Sequence, residues 1–171
     1  MLTPIFAALS LAAVQDESDL LLPGFIGDWE GEAVAYNPLQ PERGERREDI
    51  SAICRPVLSE SYVQCDARWS AESGTSRELL IFWNALAEAG RYEILYLYDN
   101  WPGKVQYPLD FDPDTRTLTG YSQFEAGDRT AEERVRWIFS EDGNVISSEE
   151  HVRYEGDPDW LLSFEFTWRR R

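Results

Sequence analysis

The sequence predicts an all-β protein, a single antiparallel up-and-down β-barrel of about ten strands. Apolar and polar side chains alternate with period two along most of the chain, whereas helical periodicity is hard to find. The links between successive strands are too short for the crossover helices that a parallel sheet requires, so we expect an antiparallel meander. Because an open meander would leave both of its edges unpaired, we expect it to close on itself.

Turn-forming residues separate the predicted strands. Examples are Gly74, the run Asn100-Trp101-Pro102-Gly103, Asp112-Pro113-Asp114 and Gly156-Asp157-Pro158. Each cluster falls between two alternating segments, as in a chain of hairpins. On this basis the predicted strands lie near residues 26–36, 45–55, 61–70, 76–84, 90–99, 104–110, 115–124, 131–139, 144–154 and 160–169.

The length and composition indicate one folded domain, which we place at residues 20–171. A chain of 171 residues buries roughly 70% of the surface that its unfolded form exposes. Hydrophobic residues make up 43% of the chain and include seven tryptophans, which is enough apolar mass for a core. The net charge of −16 would repel a phosphate backbone, which argues against nucleic acid and anionic membrane surfaces as partners. We interpret the acidity as a solubility feature or an adaptation to a salty medium.

The N-terminal segment, residues 1–15, has the character of a secretory signal peptide. It contains no charged side chain, and an acidic segment begins abruptly at Asp16. Cleavage after Ala12 or Ala13 would suit such a signal, although the usual positive charge near Met1 is absent. The alternative is an N-terminal tail, disordered or packed. Because the run is too short to cross a bilayer, we expect no membrane span and a soluble protein that is periplasmic or secreted.

The two cysteines fall opposite each other in one predicted hairpin. If residues 58–61 form a loop, Val57 faces Tyr62 and Cys54 faces Cys65. This register gathers apolar residues on the cysteine face and charged residues on the other, which supports it. Directly opposed residues are close enough for a disulfide, so we expect Cys54 and Cys65 to be bonded in an exported protein. Two buried reduced thiols are the alternative if the chain is not exported.

The segment Gly27-Asp28-Trp29 resembles the Gly-x-Trp signature of lipocalin-like (calycin) barrels. The order of this motif, the cysteine hairpin, Trp83-Asn84 and the late segment at residues 135–139 looks like a bacterial family of lipocalin-like domains of unknown function. The resemblance covers residues 25–170 and implies a calycin-like barrel.

The resemblance also implies a plug at one end of the barrel. In the lipocalin-like families the tryptophan of the first strand closes that end, and an arginine of the last strand stacks over it. Here the tryptophan is Trp29, and Arg169 and Arg170 are the candidate arginines. We assign the plug to Trp29 and Arg169. Small residues share the strand face of Trp29 and would leave a roomier space above it: Gly31, Ala33 and Ala35.

The last predicted strand raises the question of what fills the barrel. Its alternate positions are bulky and apolar, and we expect them to point inward. Such a stripe either interdigitates as a solid core or lines a cavity. The residues of the stripe are Trp160, Leu162, Phe164, Phe166 and Trp168.

We favour a cavity, because ten strands enclose a wider interior than the eight that side chains just fill. The predicted function is therefore the non-catalytic binding of a small, largely apolar molecule inside the barrel. A filled-core barrel with a structural or interaction role, without a ligand, is an alternative. The residues that we expect to bind the ligand are Trp69, Tyr96, Trp137, Phe139, Leu162, Phe164 and Phe166.

His151 is the only histidine, so any catalytic triad or histidine-bound metal must use it. The chain lacks the nucleophile-elbow, phosphate-loop and zinc-helix motifs. We therefore expect no catalytic residues, no bound metal and no cofactor. Haem is the alternative cofactor, because nitrobindin-like barrels, which this chain resembles more distantly, bind haem iron through a histidine on a late strand.

The register of the hairpin before His151 decides which way this side chain points. With a loop at Asp142-Gly143, Phe139 pairs with Ile146 and His151 faces solvent. With a longer loop, Phe139 pairs with Val145 and His151 turns into the barrel, but two apolar residues of the same strand become exposed. The first register is favoured, and haem ligation by His151 remains the alternative.

Overall fold

The computed structural model describes residues 22–38, 40–86 and 91–171, with only the backbone at Pro41 and Trp101. The segment interpreted as a signal peptide, residues 1–15, lies outside the described residues. Within them, no helix is long and apolar enough to cross a membrane.

The protein is a closed antiparallel barrel of ten strands in which each strand pairs with its neighbours in sequence and the first pairs with the last. The predicted fold class is confirmed. A short helix, α1 (Leu22–Phe25), precedes the barrel, and a 3-10 turn follows the first strand at Pro41–Arg43. The strands are β1 (Gly27–Ala35), β2 (Arg46–Val57), β3 (Tyr62–Ala71), β4 (Ser76–Ala85), β5 (Arg91–Tyr98), β6 (Trp101–Asp112), β7 (Thr117–Ala126), β8 (Arg129–Phe139), β9 (Val145–Tyr154) and β10 (Leu161–Arg170).

The start of β6 differs from the prediction, which treated residues 100–103 as a turn. The turn is shorter and comprises Asp99 and Asn100, and β6 already begins at Trp101. An irregularity in register after Leu97 brings Tyr98 opposite Trp101. The hairpin therefore closes earlier than the Pro-Gly pair in the sequence indicates.

The cysteine hairpin has the predicted register. Val57 pairs with Tyr62 and Cys54 with Cys65, whose Cα atoms lie 4.0 Å apart and whose sulfur atoms are bonded. Three successive loop residues, Leu58, Ser59 and Glu60, have positive φ angles of 51°, 57° and 67°. The disulfide is thus confirmed, and it fixes β2 against β3 near the end of the barrel at which α1 lies.

Because successive strands pair in antiparallel fashion, the links between them alternate between the two ends of the barrel. We call the end at which α1 lies the closed end and the opposite one the open end. The loops at 58–61, 113–116 and 140–144 lie at the closed end, and those at 72–75, 99–100, 127–128 and 155–160 lie at the open end.

β6 and β7 pair over a short length only, from Leu109 opposite Gly120 to Asp112 opposite Thr117. The pairing stops next to Pro108, which has no backbone N–H to extend the ladder. Toward the open end these two strands continue without pairing to each other. We call this part of the wall the β6–β7 gap.

Candidate functional site

Aromatic side chains fill the closed end of the barrel. The ring of Phe25 stacks on Trp83 at 4.0 Å between centroids, and Trp83 meets Trp137 edge to face at 4.6 Å. Trp168 lies 5.7 Å from Trp137 and 6.2 Å from Trp29. All five side chains are buried. We call Phe25, Trp29, Trp83, Trp137 and Trp168 the plug, because their rings pack against one another across this end.

An arginine of β10 covers the plug, and it is Arg170. Its guanidinium lies 4.4 Å from the centroid of the Trp29 ring. It donates hydrogen bonds to the carbonyl oxygens of Gly24 at 3.0 Å and Gly143 at 3.2 Å, and to that of Ile26. The guanidinium thus ties α1, the start of β1 and the loop before β9 together.

The structure corrects the assignment of this role to Arg169. Arg170 is the residue that pairs with Trp29, whereas Arg169 pairs with Glu30 on the outer face and is exposed. Gly27, the glycine of the Gly-x-Trp segment, has a φ angle of +141°, and a Cβ atom there would overlap the Arg170 guanidinium. The glycine is required for this conformation and for the close approach of the arginine.

Beyond the plug, toward the open end, the barrel contains a cavity of about 320 Å³, which we call the chamber. The interior is therefore neither wholly filled nor wholly hollow. The plug fills one half of the barrel interior, and Trp137 is the plug residue that also lines the chamber. The full lining is Arg46, Trp69, Arg77, Leu79, Ile81, Tyr96, Tyr98, Val105, Tyr107, Glu133, Trp137, Glu150, Ser163, Phe164 and Phe166.

Seven residues were predicted to bind a ligand, and the structure brings five of them together around the chamber. Phe139 instead lies beside Phe25 at the closed end, with 5.0 Å between ring centroids. Leu162 lies outside the lining, for a reason described below. The five residues in the wall of the chamber are Trp69, Tyr96, Trp137, Phe164 and Phe166.

A β-bulge in β10 overturns the expectation that Trp160 and Leu162 point inward. The register shifts between Leu162 and Phe164, so that Phe164 pairs with Glu150 but Leu162 pairs with His151, on the outer face. The extra residue, Ser163, donates a hydrogen bond from its hydroxyl to the Glu150 carbonyl at 3.0 Å. Because side chains alternate between faces, one inserted residue sends every side chain before it to the opposite face.

Trp160 contacts two arginines of the outer surface. The guanidinium groups of Arg134 and Arg153 lie 4.9 Å and 4.7 Å from its ring centroid. Such contacts at a protein surface contribute about 0.5–1 kcal/mol each, and here they surround a half-buried tryptophan. The residue thus belongs to the surface, next to the loop at the open end.

One wall of the chamber carries two arginines and a carboxylate that neutralise each other in part. Arg77 lies 2.8 Å from one Glu48 oxygen and Arg46 lies 3.2 Å from the other. The Glu48 side chain is only 8% exposed, whereas that of Arg46 is 59% exposed at the open end. Arg77 also covers Trp69 at 4.7 Å from the ring centroid. The inner cation of this group is therefore held by a carboxylate and an aromatic ring.

The opposite wall carries two carboxyl groups, those of Glu133 in β8 and Glu150 in β9. They are diagonal neighbours, since Val135 is opposite Glu150 and Val152 is opposite Glu133. Loss of hydration and the nearby Glu133 charge raise the pKa of Glu150 to about 8. Burial also raises the pKa of Glu133, whose carboxylate accepts a hydrogen bond from the Ser122 hydroxyl at 3.0 Å.

Three tyrosines of β5 and β6 complete the aromatic wall. Burial raises the pKa of Tyr98 to about 12 and those of Tyr96 and Tyr107 well above their usual value, so all three phenols are protonated near neutral pH. Tyr107 packs against Gly120, where a Cβ atom would overlap its ring. The tyrosines offer ring faces and hydroxyl groups to the chamber.

No protein-family model matches this chain, and no curated protein matches it. The crystal structure of Rv2717c from M. tuberculosis is similar, with a TM-score of 0.62 and 12% sequence identity over 90% of this chain and 97% of that chain. At this identity the likeness shows a shared barrel fold and nothing about a ligand. Membership of a lipocalin-like (calycin) family stays a prediction.

His151 points away from the chamber. Phe139 pairs with Ile146, as the favoured register predicted, so Ile146, Val152 and Tyr154 lie on the inner face and His151 on the outer face. Burial and the nearby Arg134 lower the pKa of His151. This orientation gives no support to haem ligation inside the barrel. Among the described residues, no three His, Cys, Asp or Glu side chains cluster as they would around a metal ion.

The charged residues of the chamber were not predicted, although the sequence contains a signal for them. Glu133 lies on the same face of its strand as Val135 and Trp137, and Glu150 on the same face as Ile146. Alternation therefore places both carboxyls inside. They were overlooked because ionisable side chains are seldom buried without a partner.

Proposed function

We propose that the protein binds a small organic molecule with a largely apolar body in the chamber, without catalysis and without a cofactor. The observation that carries this proposal is the chamber itself, about 320 Å³ inside a barrel whose other half is filled by the plug. This volume lies at the lower end of the range for small-molecule sites, and the lining combines aromatic rings with polar groups that would orient a ligand. The open end and the β6–β7 gap offer routes of entry.

A substitution that fills the chamber tests the proposal. Val105 lines the chamber, whereas the next residue, Gln106, is exposed on the outer face of the same strand. We expect Val105→Phe to weaken binding of the uncharged dye N-phenyl-naphthylamine by about tenfold or more, which corresponds to some 1.4 kcal/mol. Gln106→Phe, which adds the same ring outside, should bind the dye like the unchanged protein. Dye fluorescence during titration measures both.

Two results would contradict the proposal. If the unchanged protein shows no saturable uptake of the dye, and native mass spectrometry of the purified protein shows no bound molecule, the chamber is not a ligand site. Equal affinities of the Val105→Phe and Gln106→Phe variants would place the dye elsewhere on the surface.

The proposal includes the absence of haem, and this also has a measurable consequence. Because His151 lies on the outer face, we expect any Soret spectrum obtained with hemin to be identical in the unchanged protein and in His151→Ala. A Soret band that shifts on this substitution would show that His151 is an iron ligand and would contradict the proposal.

We also propose that the protein acts outside the cytoplasm, in the periplasm or after secretion. The Cys54–Cys65 disulfide supports this location, because such bonds persist in oxidising compartments. The uncharged run at residues 1–15 fits an export signal. N-terminal sequencing of the protein recovered from its native host would reveal whether this segment is removed.

A further inference from the structure

We propose that the ligand is a small organic cation, an amine with an aromatic or branched aliphatic body, whose ammonium group binds between Glu133 and Glu150. This inference rests on the proposed function, because it names the chemistry of the molecule that the chamber would hold. It is drawn from the charges of the chamber wall and from the rings that surround them.

The two carboxyls lack a direct counter-charge, and Arg77 acts on Glu150 only from across the chamber. No hydrogen bond or ion pair joins the Glu150 carboxyl to another described side chain, and Glu133 has only the Ser122 hydroxyl. An ionised carboxyl inside a protein is costly without a partner, so Glu150 keeps its proton up to about pH 8; a bound cation would supply the partner and release that proton to solvent. The ammonium group of an amine carries a positive charge together with N–H donors for both carboxyls.

The two arginines of the chamber would favour an acidic ligand if they had no partners within the protein. Arg77 is held by Glu48 at 2.8 Å and by the ring of Trp69. Arg46 uses the other Glu48 oxygen and is largely solvated at the open end. The charge of the inner arginine is thus met by Glu48, and the remaining positive charge, on Arg46, is exposed to solvent. The group lies on β2 and β4, whereas the carboxyls lie on β8 and β9, on the other side of the barrel.

The aromatic lining of the chamber also suits an organic cation. Ring faces attract cations, and this attraction strengthens when water is excluded. The same rings bury the apolar body of an amine. The rings that line the chamber together with the carboxyls are those of Trp69, Tyr96, Tyr98, Tyr107, Trp137, Phe164 and Phe166. The net charge of −16 would also concentrate cations near the protein.

Three probes of the same shape and different charge test the inference. Naphthylmethylamine is a cation near neutral pH, naphthylmethanol is uncharged and naphthoic acid is an anion. Calorimetric titration of the full chain measures the three affinities. We expect the amine to bind at least about tenfold more tightly than the alcohol, because it forms a charged hydrogen bond. The acid should bind more weakly than both.

Substitutions of Glu133 and Glu150 test whether these two carboxyls cause the preference for the amine. In Glu150→Gln and in Glu133→Gln the affinity for the amine should fall by about tenfold, to that for the alcohol. Glu149→Gln is the matched control, because Glu149 lies next to Glu150 on the outer face and pairs with Arg136 at 3.8 Å. It should leave the preference for the amine unchanged. Unchanged binding of the alcohol by the two chamber variants shows that the chamber has kept its shape.

The outcomes separate the two proposals. If the unchanged protein binds none of the three probes and also no N-phenyl-naphthylamine, the proposed function fails and this inference fails with it. If the alcohol or the acid binds as tightly as the amine, the chamber is a ligand site and the inference of a cation is overturned. A preference for the amine that survives both chamber substitutions would place the ammonium group elsewhere and overturn it too.

Discussion

Glu150→Gln will make the protein more stable at alkaline pH than the unchanged protein, by roughly 3–5 kcal/mol in the free energy of unfolding. The pKa of Glu150 is about 8 in the fold, against an ordinary value of 4.5. The folded state therefore binds this proton more tightly than the unfolded state does. The contribution of the Glu150 proton to stability is complete below pH 4.5 and decreases as the pH rises to about 8. Above that pH the contribution is lost.

Urea unfolding at several pH values between 5 and 9 measures this effect. The unchanged protein should lose stability across this range, and the glutamine variant, which cannot ionise, should lose much less. A residual slope is expected from Glu133, whose pKa is also raised. His151 contributes a slope of opposite sign at mildly acidic pH, because its pKa is lowered, but it does so in both proteins. Parallel curves for the two proteins would contradict the prediction.

The other groups that face Glu150 decide how large the effect is. Glu133 raises its pKa, whereas Arg77 on the opposite wall lowers it, and the phenols of Tyr96 and Tyr107 stay neutral in this range. Glu149→Gln serves as the control here as well, since Glu149 is an outer-face residue. It should keep the pH dependence of the unchanged protein.

Stability and binding therefore place opposite demands on Glu150. An inward carboxyl without a partner destabilises the barrel at neutral and alkaline pH, and an amide of the same shape does so less because it has no charge to desolvate. Ionisable groups with strongly displaced pKa values are concentrated at functional sites, where such a cost is tolerated. The same substitution is expected to raise stability and to remove the preference for a cation, which links the two measurements through one residue.

Much of the fold was predictable, because the alternation of apolar and polar side chains and the lengths of the turns follow directly from the sequence. Period two determines which face each side chain occupies, and the loop at 58–61 set the register that joins Cys54 to Cys65. The orientation of His151 followed from the same rule applied to the pairing of Phe139 with Ile146. These features depend on neighbours close in the chain.

Two features of the site depend on more than alternation. The bulge at Ser163 moves Leu162 to the outer face, and no turn or glycine in the sequence marks it. The chamber exists because of how large side chains pack across the barrel, which one strand at a time does not reveal. The arginine that covers the plug, by contrast, was predictable from alternation. Trp168 points inward, and the next residue of β10 on the same face is Arg170.

Arg170→Ala should lower the free energy of unfolding by roughly 2–4 kcal/mol, through the loss of its cation–π contact and of its hydrogen bonds to backbone carbonyls. Its guanidinium binds the carbonyl oxygens of Gly24, Ile26 and Gly143 and covers Trp29. Without it, α1 loses a tie to the closed end. Urea unfolding, with the disulfide intact in every protein compared, measures the change.

Arg169→Ala is the matched control, because it removes the same kind of side chain from the next position of the strand. Arg169 is exposed on the outer face, so the substitution should change stability by less than about 0.5 kcal/mol. The loss of stability in Arg170→Lys should lie between those of Arg170→Ala and Arg169→Ala. An ammonium group keeps the charge but lacks the planar guanidinium that reaches several carbonyls at once. If Arg169→Ala proved the more damaging substitution, the plug would depend on Arg169, and the pairing of Trp29 with Arg170 could not describe the closed end of the barrel.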